Sequence, residues 1–312
     1  VGISVEIVIR ASSDAVWLYT QDPAFHERWD LRFSTIDYLP RSENEPQRFL
    51  YATRIGFGAR ITGTGESIAQ RDRPDGPCAS SLKFFSEDPR SIIREGSGYW
   101  KYTPTPDGTH FLTWYDYHTR FGRAGAFLDR VAFRPLIAWA TAWSFDRLRL
   151  WLEEGVPPDA ALRCFTTRAC ARCMIAFVFA YHGLVPKLLM ANADEVAMLR
   201  DAGVASAWLA PARWTAGIAE LVFAIVLLVF WRSRWPTAIS LLLMAAATAG
   251  VAFNSPRYLA GAFNPVTLNL CVAALCILDI VNFKGAPSAA RCRYSSNRTE
   301  SRSPTRSRGA SR

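Results

Sequence analysis

The stretch Cys173–Ala191, CMIAFVFAYHGLVPKLLMA, constrains this chain more than any other. It runs for 19 residues with a single full charge, Lys187, near its far end. A hydrocarbon core of about 30 Å takes about 20 apolar helical residues to cross. Inside that core a strand or loop would leave backbone N–H and C=O groups with no water to bond, so the stretch must be helical. Three more apolar runs follow, at about Trp214–Trp231, Trp235–Asn254 and Pro265–Phe283. The residues before it have the composition of a soluble domain. The chain therefore divides between two solvents near residue 165.

Charge divides the same way. Residues 1–162 carry 19 Lys and Arg against 21 Asp and Glu, residues 163–283 carry 9 against 5, and residues 284–312 carry 8 against 1. The formal charge of +9 thus belongs to the membrane flanks and the tail. A nucleic-acid-binding protein gathers its basic residues on a folded face with a recognisable module. Neither is legible, so nucleic acid is not an expected partner. The seven cysteines are odd in number and two of them, Cys271 and Cys276, lie in the last apolar run, which argues against a disulfide framework. Cys170 and Cys173 form an isolated Cys-x-x-Cys with no second pair or nearby His, and no metal site is expected. The opening residues alternate like a strand and lack a basic leader, so no signal peptide is expected.

In the soluble part, Ile3–Arg10 alternates as a half-buried strand does. Ser12-Ser13-Asp14 and Asp22-Pro23 then supply the caps of two short helices. Six strand-like runs follow, separated by turn clusters at Asn44–Pro46, Arg73–Pro77 and Thr105–Gly108. From Ala124 to Glu154 the pattern becomes a wide aromatic helix that Pro135 should kink. The order suits an α+β helix-grip, a curved antiparallel sheet wrapped round a long C-terminal helix with a cavity between them. One face of each strand should line that cup. On residues 49–57 the candidates are Phe49, Tyr51, Thr53, Ile55 and Phe57. On the last strand either Phe111, Thr113, Tyr115 and Tyr117 face in, or His110, Leu112, Trp114 and Asp116 do; the first set is more apolar and is preferred. With Trp100 and Trp139, the candidate ligand-binding residues are Phe49, Tyr51, Phe57, Trp100, Phe111, Tyr115 and Trp139, because aromatic side chains pair apolar bulk with a polar handle.

No catalytic constellation is legible. His26 stands four residues after Asp22 on a short helix and reads as a solvated or capping residue. His118 shares a strand face with Asp116 and Arg120, an outward polar face. Gly63, Gly65, Gly96 and Gly98 are spaced by two within strands, where they permit curvature rather than cradle phosphate. No Ser-His-Asp order or metal cluster stands out.

The residues VEIVIRASSDAVWLYTQDPAFHERWD, and DGTHFLTWYDYHTRF followed by a long helix, resemble the START-like superfamily of polyketide cyclases and hydrophobic-ligand carriers. The resemblance covers about residues 3–154 and implies a ligand cup with no shared catalytic residue. YHGLVPKLL in the first apolar run and AGIAELVFAIVLLVF in the second resemble DoxX-like membrane proteins. Gly183 with Lys187, and Gly217-Ile-Ala-Glu220, carry that likeness over about residues 163–283. Some relatives are small subunits of thiosulfate–quinone oxidoreductases, which implies a redox or quinone association.

The expected organisation is a START-like domain over 1–155, a linker over 156–167 broken by Pro157-Pro158, an all-α four-helix transmembrane bundle over 168–283 and a disordered basic tail over 284–312. Trp214, Trp231 and Trp235 sit where an aromatic belt belongs. Arg163, Arg168, Arg172, Arg232, Arg234 and the basic tail outnumber Arg200, Arg213 and Arg257, which places both termini in the cytoplasm of a cell-membrane protein. Within the spans the polar residues of interest are His182, Lys187, Glu220, Asn269 and Asp279. His182 and Glu220 fall in one layer near the midplane and should approach each other, while Asp279, about 7 Å deep by helical rise, should reach the headgroups. Three readings follow. In the first, the cup binds a hydrophobic small molecule or lipid beside the bilayer, with Trp139, Trp143 and Trp151 against the headgroups. In the second, the chain is an accessory subunit of a membrane redox partner, with quinone near His182 and Glu220. The third is a structural anchor.

Overall fold

The computed structural model describes residues 2–42, 45–54, 58–71, 76–262 and 264–298. It separates into two compact units, Val1–Ala161 with Pro287–Arg312, and Leu162–Ala286.

In the first unit, strand β1 (Gly2–Ile9) leads to helices α1 (Ser13–Gln21) and α2 (Pro23–Trp29). The expected caps are in place: Ser12 accepts from Ala15 N at 3.3 Å, and Asp22 accepts from Ala24 N at 2.9 Å with Pro23 at the first helical position. Strands β2 (Thr35–Tyr38), β3 (Gln47–Arg54), β4 (Arg60–Arg71), β5 (Cys78–Phe85), β6 (Ile93–Thr105) and β7 (Gly108–Thr119) form an antiparallel meander. β1 then pairs with β7, Ile3 opposite Tyr115 and Ile7 opposite Phe111. Phe111, Thr113, Tyr115 and Tyr117 are all buried, so the more apolar face of β7 does turn inward. A Cβ on Gly65 would run into the ring of Phe49, so this glycine lets an aromatic side chain cross its strand.

The long helix comes in three pieces. Helix α3 (Gly122–Leu128) passes through a π-helical turn, Asp129–Phe133, into α4 (Arg134–Glu154). Pro135 has no N–H and would clash with the carbonyl four residues back, and the wide turn just before it relieves both problems. α4 buries Ala138, Ala142, Phe145 and Leu148, with Phe145 stacked on Phe111 at 4.4 Å.

Two boundaries differ from expectation. α4 ends at Gly155, held in the left-handed region at φ 65°, and α5 (Pro158–His182) starts at Pro158, so the break is much shorter than 156–167. Pro158 opens that helix because the first helical position needs no N–H. The segment expected to be disordered from 284 is ordered over its described part: a 3₁₀ turn, Ala289–Arg291, leads to β8 (Arg293–Arg298). β8 pairs with the free edge of β1, Val5 opposite Tyr294, and the sheet order is β2-β3-β4-β5-β6-β7-β1-β8. Residues 299–312 lie outside the described residues.

The return of the chain is anchored by one buried carboxylate. Asp146 on α4 accepts from Ser288 N at 2.7 Å, Arg291 Nη1 at 3.2 Å and Arg149 Nε at 2.7 Å. Cys292 is buried beside it, with its Sγ 3.1 Å from the Ala142 carbonyl.

The second unit is helical. α5 continues through a π-helical segment, Gly183–Leu189, and is followed by α6 (Ala193–Asp201), α7 (Leu209–Val229), α8 (Trp235–Asn254) and α9 (Pro265–Val281). Asn192 and Asn264 cap α6 and α9, accepting from Asp194 N at 2.8 Å and from Thr267 N at 2.9 Å. Three helical stretches are long and apolar enough to cross a membrane, Pro158–Leu189, Ser206–Val229 and Trp235–Asn254; α9 is apolar but shorter. Ile175, Phe179, Leu227, Val272 and Cys276 form the buried core that joins α5, α7 and α9.

Replacing Asp146 by Ala removes the buried partner of three donors and breaks its ion pair with Arg149, a loss of about 3–5 kcal/mol. Limited proteolysis of the full chain is expected to cut first within 287–292 in that variant; an unchanged cleavage pattern would contradict the anchoring role.

Candidate functional site

A cavity of about 30 Å³ is left between the sheet and α1–α2. That is room for one or two waters. Phe33, Phe49 and Trp100 belong to its apolar lining, and Gln21, His26 and Ser80 to its polar lining. Two of the expected ligand-binding residues, Phe49 and Trp100, therefore line it. Tyr51 stands edge-on to Phe33 at 5.5 Å and donates to the Phe85 carbonyl at 3.3 Å, its phenol pushed up to about 12 by burial. Phe111 is packed among Trp100, Tyr102 and Phe145. The Tyr115 hydroxyl lies 2.9 Å from Thr141 on α4, with the Arg32 guanidinium over its ring. Trp139 is exposed, beside Trp143 at 6.4 Å, and is not among the cavity residues. Phe57 lies outside the described residues.

His26 is not solvated. It is buried, stacked on Trp29 at 5.1 Å and edge-on to Trp100 at 5.0 Å, with Nε2 3.1 Å from Asp30 Oδ2. The four-residue spacing on α2 brings the two together. Asp30 is fully buried and is gripped by Arg32, Nε to Oδ1 at 2.9 Å and Nη2 to Oδ2 at 2.6 Å. Burial alone would raise the Asp30 carboxyl. The Arg32 charge and the His26 and Arg32 hydrogen bonds outweigh it and hold the group well below the usual carboxylate range. Beyond His26, the polar lining is tied into a network: Ser80 Oγ donates to Gln21 Oε1 at 3.3 Å, Gln21 Nε2 donates to the Tyr102 hydroxyl at 3.0 Å, and that hydroxyl is 2.7 Å from Thr20. Only His26 brings an imidazole to it. A His–carboxylate dyad at a cavity can bind a hydroxyl or accept a proton, and the i,i+4 spacing was its one sequence signal.

The second unit holds two polar clusters, and neither is the expected His182–Glu220 pair. The first joins α5, α8 and α9. Asp279, fully buried, receives Arg172 Nη2 at 2.6 Å, Arg168 Nε at 3.0 Å and the Thr237 hydroxyl at 2.6 Å. The remaining donors of Arg172 go to the carbonyls of Phe230, Trp231 and Ser233, the open C-terminal end of α7 and its turn. Asp279 thus turns into the bundle rather than out to headgroups. Its face continues through Cys276, Val272 and Asn269, and Asn269 donates to Thr248 at 3.0 Å.

The second cluster shows why the Gly-x-x-x-Lys and Gly-x-x-Glu spacings occur together. A Cβ on Gly183 would lie 2.6 Å from the Gly217 carbonyl oxygen, and one on Gly217 would lie 2.9 Å from the Gly183 carbonyl oxygen. The two backbones touch, which only glycine allows. One turn beyond each glycine, Lys187 Nζ meets Glu220 Oε1 at 3.2 Å, and the same ammonium reaches Glu195 Oε1 on α6 at 3.2 Å. Glu220 Oε2 is buried without a partner among the described residues. Lys187, not His182, is therefore the counter-charge of Glu220. Its chemical capacity is that of a buried hydrogen-bond acceptor next to an ammonium.

A double-mutant cycle separates the two pairings. Lys187→Ala and Glu220→Ala should couple by about 0.5–3 kcal/mol in detergent unfolding. His182→Ala and Glu220→Ala should be additive; the reverse outcome would restore the His182 pairing.

A DoxX-like family profile matches residues 176–277. The membrane protein YndG of Bacillus subtilis (strain 168) is 41% identical over 228 residues, 71% of this chain and 83% of its own. Among solved structures, the first unit is similar to the Zhui aromatase/cyclase of Streptomyces sp. R1128, at 16% identity and a TM-score of 0.34 over 47% of this chain and 95% of that one. It is also similar to a fragment of a STAR-related lipid transfer protein from Xanthomonas axonopodis, at 13% identity and a TM-score of 0.34 over 44% and 79%. With helices that fit a bilayer and this extent of identity, the chain is a membrane protein carrying a DoxX-like domain and belongs to the same family as YndG.

Proposed function

We propose that the first unit binds an amphipathic small molecule or lipid while its membrane unit holds it at the cytoplasmic face of the cell membrane. The observation that carries this reading is the mixed lining of the cavity, where Phe33, Phe49 and Trp100 stand together with His26, Gln21 and Ser80. An apolar body with one hydroxyl or carbonyl fits such a lining, since few polar groups suffice to fix orientation. At about 30 Å³ the space takes the polar tip alone. Entry of the body requires the aromatic wall to part, and β2, a four-residue edge strand, is its least-held side.

Connectivity supports the topology. Residues 2–161 and 287–298 belong to one folded unit, so the intervening chain has to cross the bilayer an even number of times. α9 is then the fourth span; 17 residues at about 1.5 Å each give about 25 Å, within the range that crosses. Arg163, Arg232, Arg234 and Lys284 on one side, against Arg200 and Arg257 with Asp194, Glu195 and Asp201 on the other, support a cytoplasmic first unit.

A second reading, an accessory subunit touching quinone, draws on one feature: the unpartnered Glu220 Oε2 would accept from a quinol hydroxyl. Native mass spectrometry of the full chain distinguishes the two. A retained small molecule or lipid should fall at least fivefold with Ser80→Leu, which fills the cavity, and be unchanged with Glu220→Gln. Retention lost with Glu220→Gln and kept with Ser80→Leu would reject the cup as the binding site.

A further inference from the structure

The helical surface over residues 121–139 carries a pattern that the ligand cup does not use. Its buried positions are Gly125, Asp129 and Ala138, and most of the rest faces out. Phe127 is 70% exposed and Val131 62%, with Phe121, Leu128, Leu136 and Trp139 also exposed. The exposed charged residues of this segment are Arg123 and Arg130, and both are cations. Its single acid, Asp129, is buried under the Tyr117 hydroxyl at 2.6 Å and Arg134 at 2.9 Å. A water-facing helix normally interleaves charges of both signs, whereas a contiguous apolar surface marks an interaction site.

Phe121 adds a second observation. Its backbone is left-handed at φ 70°, a conformation that costs a residue other than glycine about 1–2 kcal/mol. The ring is nonetheless 56% exposed, so core packing does not account for the strain. Trp143 and Trp151, which the sequence offered as headgroup contacts, turn inward instead: Trp143 is buried, and Trp151 packs edge-on against the stacked rings of Tyr19 and Phe25 with Arg28 over its own ring.

We infer that the exposed face of residues 121–139 lies on the membrane surface, with Phe121, Phe127, Val131 and Leu136 among the upper acyl chains and Arg123 and Arg130 on anionic lipid phosphates. Large apolar side chains with interspersed Arg and no exposed acid are the composition of a helix that lies in the interface. Each cation near an anionic surface contributes about 1 kcal/mol. The occupant is a bilayer because the same chain carries helices long and apolar enough to cross one, which keeps lipid at high effective concentration, and because the exposed charges of this face are cations alone. The proposal does not depend on the cup holding a ligand.

The test uses the full chain in nanodiscs, with an environment-sensitive fluorescent amino acid in place of Val131 or, as a water-exposed control on β4, Ile68. In discs containing phosphatidylglycerol, the probe at 131 should be quenched at least threefold more than the control by nitroxides high on the acyl chain. It should be quenched at least threefold less by aqueous iodide. Arg123→Glu with Arg130→Glu should cut the lipid quenching at least twofold in those discs and leave it unchanged in phosphatidylcholine. Equal iodide quenching at 131 and 68 would overturn the docking. Shielding of 131 from iodide and from lipid nitroxide alike would overturn it in favour of a protein partner or a second copy. Unchanged quenching in the double variant would overturn the role of the two arginines.

Discussion

The pairing of β8 with β1 governs the arrangement of everything between them. β1 opens the chain, and without β8 its outer edge would offer a row of unpaired N–H and C=O groups, an open template for association. The strand that covers it comes from beyond the last apolar helix. The membrane unit is therefore an insertion within the soluble one, tied at Pro158 on one side and through the Ser288 and Arg291 bonds to Asp146 on the other. A sheet finished this way can complete itself only after the helices between its strands have been made.

Two ionic clusters in the membrane unit show different chemistry. Around Asp279 every strong donor and acceptor is matched: two guanidinium groups share one carboxylate, and the surplus donors of Arg172 satisfy the carbonyls at the end of α7. Such a knot fixes which helices neighbour each other, in keeping with the rule that buried charge persists only when paired and hydrogen-bonded. The Lys187 cluster is not closed in the same way, since one ammonium serves two carboxylates and Glu220 keeps an oxygen without a partner among the described residues. The first cluster holds the bundle together, and the second is where the bundle has capacity left to interact.

Much of this was legible in the residues. Alternation announced β1 and the meander, Ser12 and Asp22 announced the first two helices, and the length of Cys173–Ala191 announced the change of solvent. The glycine spacings around Lys187 and Glu220 could be read, but the contact they permit could not, because helix crossing is a property of two segments. β8 was hidden: RYSSNR is polar and Arg-rich, and it is a strand because a free sheet edge supplies its partners. Arg172 looked like a flanking charge, since nothing local reveals that Asp279, 107 residues away, would be buried against it. His26 and Asp30 stood at helical spacing, yet their burial depends on Trp29 and Trp100 closing over them. The size of the cavity beside His26 depends on side-chain packing, which pattern alone does not contain.

The central claim is that a single folded unit is built from both ends of a membrane insertion, and sidedness tests it most directly. Membrane-impermeant labelling of single introduced cysteines, in a background with the native cysteines replaced, should find positions 156, 233 and 286 on one face of the membrane and positions 204 and 262 on the other. Labelling of 156 and 286 from opposite faces would mean an odd number of crossings, and β8 could not then pair with β1.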